Sequence, residues 1–467
     1  MCGIAGAIGV PNAAVVAAEM LFQMQNRGQD GAGIVSSDGT TLHRVRGLGS
    51  PKRVFDGVDF GAALPGDAAI AHLRYSTSGA SNEIEAVQPL KKNLRGGAVA
   101  IVHNGTLTNY CPSRQRLEDQ GLTFDSDSDT ELILHRMARA VSDNMADRLL
   151  ESFAGLQGAY SLLCLTNDAL YAVVDPHGFR PLHIARYQDG WVFSSETNAL
   201  DLLGVEGKPL LPGELLKVSR GSDQPTTTPF GDHRHRSNCS FELVYFSMPN
   251  SSVFGVPVSP VRERLGKLLA QKFDRAKIPA DALAIAVPDS SNIQANAFAR
   301  ALGIEFGFGL IRSHSVKRTF IMSGRETRRD AVRRKLGVDK ALIRGRALYV
   351  IDDSVVRGST GDEVVSLLRE GGAREVHMGV ASPMVRHPCF WGIDTPKSEE
   401  LIAATKSVEE IAAHFKVDSL TYLTIEDLRQ ALEDPGGKNY CVTCFTGERP
   451  IPGELLPAEH LVRPTAY

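Results

Sequence analysis

The stretch Ala347-Leu348-Tyr349-Val350-Ile351-Asp352-Asp353-Ser354-Val355-Val356-Arg357-Gly358-Ser359-Thr360 constrains the fold more than any other part of the chain. An apolar run stops at two adjacent acids, turns through a loop of small residues and enters a helical pattern over 361–371. A strand with no polar alternation is buried on both faces, which is the situation of a parallel sheet covered by helices. Leu283 to Val287, followed by a helical pattern over 291–302, repeats the unit, so the second half reads as α/β with a doubly wound parallel sheet. The first half differs. Short runs such as Gly97 to His103, Ser161 to Leu165 and Trp191 to Ser195 are punctuated by glycine and interrupted by helical segments near 14–25 and 129–151, predicting packed sheets flanked by helices, an α+β arrangement. A polar run from Arg220 to Asn238 reads as the linker, giving domains over 2–230 and 231–467, the second closed by a helix-rich region over 398–434 and a cysteine-bearing tail.

At 467 residues the chain exceeds what one core usually organises, in keeping with two domains. With 43% hydrophobic and 22% charged residues and a formal net charge of -3, there is no basic bias toward nucleic acid. The apolar stretches are too short to span a bilayer and the N-terminus lacks a basic region followed by an apolar one, so a cytoplasmic protein is expected. Seven scattered cysteines suit a reducing compartment better than a secreted disulfide framework.

The chain opens Met1-Cys2-Gly3-Ile4. Removal of Met1 would give Cys2 a free α-amine, which titrates near ~8 against about 8.5 for a thiol and can therefore serve as the thiol's own base. The plainer alternative is a small residue at the start of a strand. Four further strings bear on the choice: Gln25-Asn26-Arg27-Gly28-Gln29-Asp30-Gly31, Ala71-His72-Leu73-Arg74-Tyr75-Ser76-Thr77-Ser78-Gly79, Val102-His103-Asn104-Gly105-Thr106-Leu107 and Ser126-Asp127-Ser128-Asp129-Thr130-Glu131. Together they resemble the class II glutamine amidotransferase domain, an N-terminal-nucleophile hydrolase, although Asn26 stands where that family commonly has histidine. The resemblance implies Cys2 as nucleophile and the Asn104 side chain with the Gly105 N–H as oxyanion hole. It also implies glutamine held by Arg27, Arg74, Thr77 and Asp129. A zwitterion needs a cation for its carboxylate, Arg74, and an anion for its ammonium, Asp129.

In the second half, the strand–acid–acid–loop–helix stretch resembles the phosphoribosyl diphosphate (PRPP) motif of type I phosphoribosyltransferases. Amide groups at a helix start form an anion site, which places a 5-phosphate on Arg357, Gly358, Ser359 and Thr360, and the resemblance adds Ser354 to the PRPP-binding residues. Asp352 and Asp353 face the ribose hydroxyls directly or through Mg²⁺, a hard cation that prefers oxygen. Asp289, Ser290 and Ser291 resemble the loop that takes the diphosphate, with Ser290 also meeting the metal, and Arg318 belongs to a segment that closes over PRPP. Both halves together resemble the amidophosphoribosyltransferase family, which implies conversion of glutamine, PRPP and water to 5-phosphoribosylamine, glutamate and diphosphate. It further implies a homodimer or homotetramer with purine nucleotide effectors.

Cys441-Val442-Thr443-Cys444 alone suits a metal or a redox pair. The contexts of Cys239, Cys389, Cys441 and Cys444 match the iron-sulfur branch of the family, which implies a structural [4Fe-4S] cluster; Cys111 and Cys164 have no such context. The chain departs from the family at Ser313, Ser315 and Lys317, and Met248 and Asn250 replace the usual arginine and aspartate. Those departures leave two alternatives open beside the housekeeping enzyme: a paralogue of specialised metabolism using another phosphosugar or acceptor, and a regulator that binds PRPP or nucleotides without turnover.

Overall fold

The computed structural model describes residues 1–75, 83–231, 235–313, 333–393 and 398–451. Up to Pro229 it contains two antiparallel sheets packed face to face. The seven-stranded sheet runs in the order Lys208–Pro209, His183–Tyr187, Gly190–Ser194, Gly3–Ile8, Ala68–Arg74, Gly31–Ser37, Leu42–Leu48. The six-stranded sheet runs Thr226–Pro229, Glu214–Ser219, Ala169–Val174, Gly158–Leu165, Gly97–Leu107, Leu90–Leu94. Between them Ile4, Ile8, Val35 and Ile70 of the first meet Ala100, Val102, Leu163 and Leu165 of the second in one buried layer. The helix Ala13–Gln23 covers the outer face of the larger sheet, and Asp129–Arg139 with Met145–Phe153 covers the smaller. The result is an α–β–β–α sandwich.

The helical pattern expected over 129–151 is two helices. Asn144 ends the first register and starts the second, because its side chain accepts from the amides of Ala146 and Asp147, an N-cap that outcompetes continuation. The Arg220–Asn238 run is not wholly a linker. Thr226–Pro229 pairs with Glu214–Lys217 as an edge strand, a place where exposed, β-branched threonines are at home.

The second half is built on a five-stranded sheet in the order Glu305–Phe306, Leu283–Ala286, Ala347–Asp352, Glu375–Val380, Ser419–Tyr422, with every pairing parallel. Numbered along the chain this is 2-1-3-4-5, so the chain reverses its direction of growth between Leu283–Ala286 and Ala347–Asp352. Crevices at such a reversal, beyond the carboxyl ends of the strands, are where ligands bind in open α/β sheets. The helices Val258–Ala270 and Asn292–Leu302 pack on one face and Ser359–Glu370 with Val408–Phe415 on the other. Ser419–Tyr422, inside the stretch read as helical, is the short edge strand. Four residues, Ser-Leu-Thr-Tyr, carry too little periodicity to separate it from its flanking helices.

Glycines set the close approaches that the first half needs. A Cβ on Gly33 would lie 2.4 Å from the Gln88 carbonyl oxygen, so the strand Gly31–Ser37 touches the main chain at Gln88 directly. Gln88 in turn accepts the His103 amide through Oε1 at 2.6 Å and donates to the Thr130 hydroxyl at 3.0 Å. Gly33→Ala must move this backbone and is expected to cost on the order of 1–3 kcal/mol; a fall of several degrees in the midpoint of thermal unfolding of the purified chain checks it.

Candidate active site

Strand geometry brings the first-half residues together. Gly3–Ile8 pairs with Ala68–Arg74, Gly3 opposite Leu73, which sets Cys2 at the carboxyl end of the strand carrying His72 and Arg74. The Cys2 thiol points at the Tyr75 carbonyl, 3.8 Å away. Burial raises its pKa; the chain terminus, the Tyr75 contact and Arg74 pull the other way without cancelling it. Met1 is itself buried, 1% exposed, with its thioether against the Arg180 guanidinium, and burial lowers its α-amine to about 6.

Asn104 and Gly105 lie on the strand Gly97–Leu107 opposite Ser161 and Tyr160. Both polar atoms of the Asn104 side chain are buried and have no hydrogen-bond partner among the described residues. A buried amide left unpaired costs free energy, and this one has its donor and acceptor capacity open to a ligand. Gly105 has φ +156°, and a Cβ there would fall 1.9 Å from the Ala159 carbonyl oxygen. Asp129 sits beside them at the start of its helix: Oδ2 accepts the Leu107 amide at 2.9 Å and Oδ1 lies 3.5 Å from His103 Nδ1. Burial alone would raise this carboxyl; His103 and the Leu107 and Thr130 amides outweigh it and hold Asp129 below its ordinary range, an anion ready for an ammonium. Arg74, 4% exposed, is braced by donation to the Glu83 carbonyl at 2.9 Å. His72 is fully enclosed on the same strand, and burial beside His103 and Arg74 lowers its pKa to about 3, so it is neutral. Thr77 lies outside the described residues.

Arg27 is not available to glutamine. Its guanidinium is 0% exposed and is taken by two carboxylates, Glu196 on one side and Glu242 on the other at 2.7 Å, with Ser247 at 3.2 Å. Burial would lower its pKa, but the two carboxylates raise it above its ordinary value. The physical reason is the partner half: Glu242 begins a π-helical turn, Glu242–Phe246, that packs against the sandwich. Glu196 also accepts the Met248 amide at 2.7 Å, the Ser251 hydroxyl at 2.8 Å and the Asn26 side chain at 2.8 Å, and Asn26 donates as well to the Phe246 carbonyl at 2.9 Å. Arg262 closes the other side of the turn through the Leu243, Tyr245 and Ser247 carbonyls. Glu196, Glu242 and Arg180 escaped the sequence reading, because a charge paired across halves has no local signature; His103, which meets Asp129 and Thr130 in its own half, and Arg262, which holds three carbonyls of its own half, were not singled out either.

In the second half the parallel pairing of Leu283–Ala286 with Ala347–Asp352 sets their carboxyl ends side by side. Ser291 Oγ donates to Asp352 Oδ1 at 3.2 Å and lies 3.4 Å from Asp353 Oδ2; Ser290 and Ser354 hydroxyls donate to Asp353. Both acids are buried, and burial together with their mutual repulsion pushes Asp352 well above the ordinary carboxylate range; Asp353 is raised by burial against these hydroxyls and Arg262. Two buried carboxylates ringed by hydroxyls are a donor set that a hard divalent cation fits. Asp289, at the mouth of the crevice, lies 3.4 Å from Arg312. Gly358, φ +82°, opens the helix Ser359–Glu370, and a Cβ there would strike Ile402 at 2.6 Å, so Ser359 and Thr360 present helix-start amides beside Arg357, which meets Glu400 at 3.0 Å. Arg318, with Ser315 and Lys317, lies outside the described residues; the ladder Leu310–Arg312 with Leu336–Val338 joins the ends of that segment.

Cys239 and Cys441 face each other in a short parallel pairing, the Cys389 sulfur accepts the Trp391 amide at 3.4 Å, and the Cys444 carbonyl accepts the Arg386 and His387 amides. Burial raises the pKa of Cys239, Cys441 and Cys444, and each is raised further by its neighbours within the set, so the four thiols share one region, next to Arg180. Among the described residues no three His, Cys, Asp or Glu side chains are already closed to metal-binding geometry. The donor chemistry, four neighbouring thiols of which Cys239, Cys389 and Cys441 interact with the buried Arg180 guanidinium, nonetheless fits an anionic thiolate-bound centre. Cys164 is a buried core residue and Cys111 half-buried.

A half-buried thiol beside an unpaired amide in one half and an acidic crevice at a sheet reversal in the other define a two-site amidotransferase. A glutamine amidotransferase domain model matches residues 72–202. The chain is 41% identical over 452 residues to Arabidopsis thaliana amidophosphoribosyltransferase 3, chloroplastic, covering 96% of this chain and 84% of that protein. It is 38% identical to the Bacillus subtilis amidophosphoribosyltransferase, covering 96% and 94%. The solved structure of B. subtilis glutamine PRPP amidotransferase with ADP and GMP superimposes with a TM-score of 0.88 at 37% identity, covering 98% of this chain and 99% of that one. The chain belongs to the amidophosphoribosyltransferase family. Among the described residues no helix is long and apolar enough to cross a membrane.

Because Arg27 joins the halves and does not reach substrate, Arg27→Met is expected to act on stability first. Removing the cation shared by two buried carboxylates, which leaves Glu242 to Arg180 and Ser247 and Glu196 to neutral donors, costs about 3–5 kcal/mol. Thermal unfolding should shift down by several degrees while the KM for glutamine at permissive temperature changes by less than about threefold; a large rise in KM with unchanged stability would return Arg27 to the pocket.

Proposed function

We propose that this chain releases ammonia from glutamine at Cys2 and transfers it to C1 of PRPP, giving 5-phosphoribosylamine, glutamate and diphosphate, the entry step of purine synthesis. The observation that carries the reading is the buried, unpartnered Asn104 amide beside Gly105, Asp129 and Cys2, within a chain that also holds the acidic crevice.

In this reading Arg74 and Asp129 orient glutamine by its carboxylate and ammonium. Cys2 Sγ, relieved of its proton by the α-amine, adds to the side-chain carbonyl. The charge that develops on oxygen meets the Asn104 and Gly105 N–H groups, and the protonated amine gives its proton to departing ammonia. Water then resolves the thioester to glutamate. In the second half the amides of Gly358 to Thr360 hold the 5-phosphate, Asp352 and Asp353 the ribose hydroxyls, and Asp289 to Ser291 flank the diphosphate. Asp352, Asp353 and Ser290 would hold Mg²⁺, which offsets charge on the leaving diphosphate. Ammonia displaces diphosphate at C1. The B. subtilis relative's structure with ADP and GMP supports purine nucleotides as effectors, and a homo-oligomer is the state proposed with them.

Purified protein given glutamine and PRPP should release glutamate and diphosphate in equal amounts. Glutaminase without PRPP consumption would favour a paralogue acting on another acceptor, and no turnover of either substrate a binding protein. Cys2→Ala is expected to lower glutamine-dependent amination at least ~1000-fold while ammonia-dependent amination survives, since only the ammonia source needs the thiol. Wild-type glutamine turnover in that variant would sink the assignment.

Cys239, Cys389, Cys441 and Cys444 are proposed to hold a [4Fe-4S] cluster that fastens the tail to both halves. Anaerobic preparations are expected to be brown, with about four iron and four sulfide per chain. Zinc in place of iron, with no visible absorbance, overturns the cluster.

A further inference from the structure

The cysteine loop makes a contact that neither glutamine chemistry nor metal binding requires. A Cβ on Gly392, φ +106°, would lie 3.3 Å from the carbonyl carbon of Gly105 and 3.2–3.3 Å from the Arg180 guanidinium. The second half thus rests directly on the backbone of the residue whose N–H is assigned to the oxyanion. Arg180, 1% exposed, donates through Nε to the Trp391 carbonyl at 2.9 Å and through Nη2 to the same oxygen. Its own carbonyl accepts the hydroxyl of Ser161 at 2.7 Å, and Ser161 is the cross-strand partner of Asn104. The Trp391 ring stacks on Phe179 at 5.5 Å and 14°, and both pack on Ala159, whose carbonyl oxygen lies where a Cβ on Gly105 would fall. Buried Asp175 accepts the amides of Phe179 and Tyr160, and Tyr160 is the cross-strand partner of Gly105.

We infer that Trp391 and Gly392, held by Arg180, are positioning residues for the oxyanion site: they clamp Gly105 between the cysteine loop and Ala159 and so aim its N–H. The inference rests on the glutaminase reading of Cys2. An N–H donor to a developing oxyanion acts through its aim, and losing one such donor costs about 10²–10³ in kcat. A clamp that lets Gly105 drift should therefore lower kcat and leave ground-state glutamine binding, which Arg74 and Asp129 provide, little changed.

The test uses the full chain. Gly392→Ala, which pushes a methyl between Arg180 and Gly105, is expected to lower glutaminase kcat at least tenfold with less than a threefold change in glutamine KM. Ammonia-dependent amination, which reports the fold of the second half, should stay within twofold. L-glutamate γ-semialdehyde adds the Cys2 thiol to its aldehyde and so needs the same donors. Its inhibition constant should rise in step with the loss in kcat, while that of glutamate stays put. If Gly392→Ala is not recovered folded, Trp391→Phe, which keeps the loop backbone and thins the stack, should show the same split at smaller size. A kcat within twofold of the unmodified protein, or aldehyde and glutamate weakening equally, would overturn the inference. Absence of glutaminase in the unmodified protein would instead remove the reading beneath it.

Discussion

Four buried charges, Arg27, Arg180, Glu196 and Glu242, hold the two halves in one arrangement, and both candidate sites depend on it. Each charge taken from water alone would cost several kcal/mol; satisfied by opposite charges and further donors they become tolerable, and only in this geometry. Glu196 and Arg27 come from the sandwich, Glu242 from the π-helical turn that leads into the second half. Hydrophobic contact could have joined the halves in many orientations. A buried charge set with fixed forks and lone pairs permits few.

The turn itself, Glu242–Phe246, reaches toward both sites. At one end Glu242 grips Arg27, whose aliphatic stem lies 3.3 Å from where a side chain on Gly3 would begin, next to the nucleophile. Near the other, Tyr245 is influenced by Asp352, Asp353 and Tyr75, and the Tyr75 carbonyl is the one that faces the Cys2 thiol. A π-helical turn is a poor packing of the backbone and is kept where side chains need an offset that an α-helix cannot give. Here that offset spans the distance between two chemistries.

The sequence made the second half legible because its motif is local: strand, acids, loop and helix follow one another within Ala347 to Glu370, and the sheet order only confirms where they must lie. In the first half Cys2, Asn104, Gly105 and Asp129 were legible through spaced strings, each with a chemical reason to be there. Arg27 read as a glutamine ligand from the string it stands in, whereas the carboxylates that occupy its guanidinium lie 169 and 215 residues away and leave no local trace. Arg180 was invisible for the same reason, its partner Trp391 lying 211 residues away. The strand Ser419–Tyr422 and the edge strand Thr226–Pro229 were hidden in polar surroundings, where neither periodicity nor burial speaks.

Glu196 meets position 248 through a main-chain amide, not a side chain. A recognition made by the backbone is blind to the identity of the residue that supplies it, and any residue but proline carries that N–H. The exchange of an arginine for Met248 is therefore neutral at this contact, and the position is released from the constraint that binds its neighbours Ser247 and Ser251. Drift can accumulate there without loosening the joint between the halves.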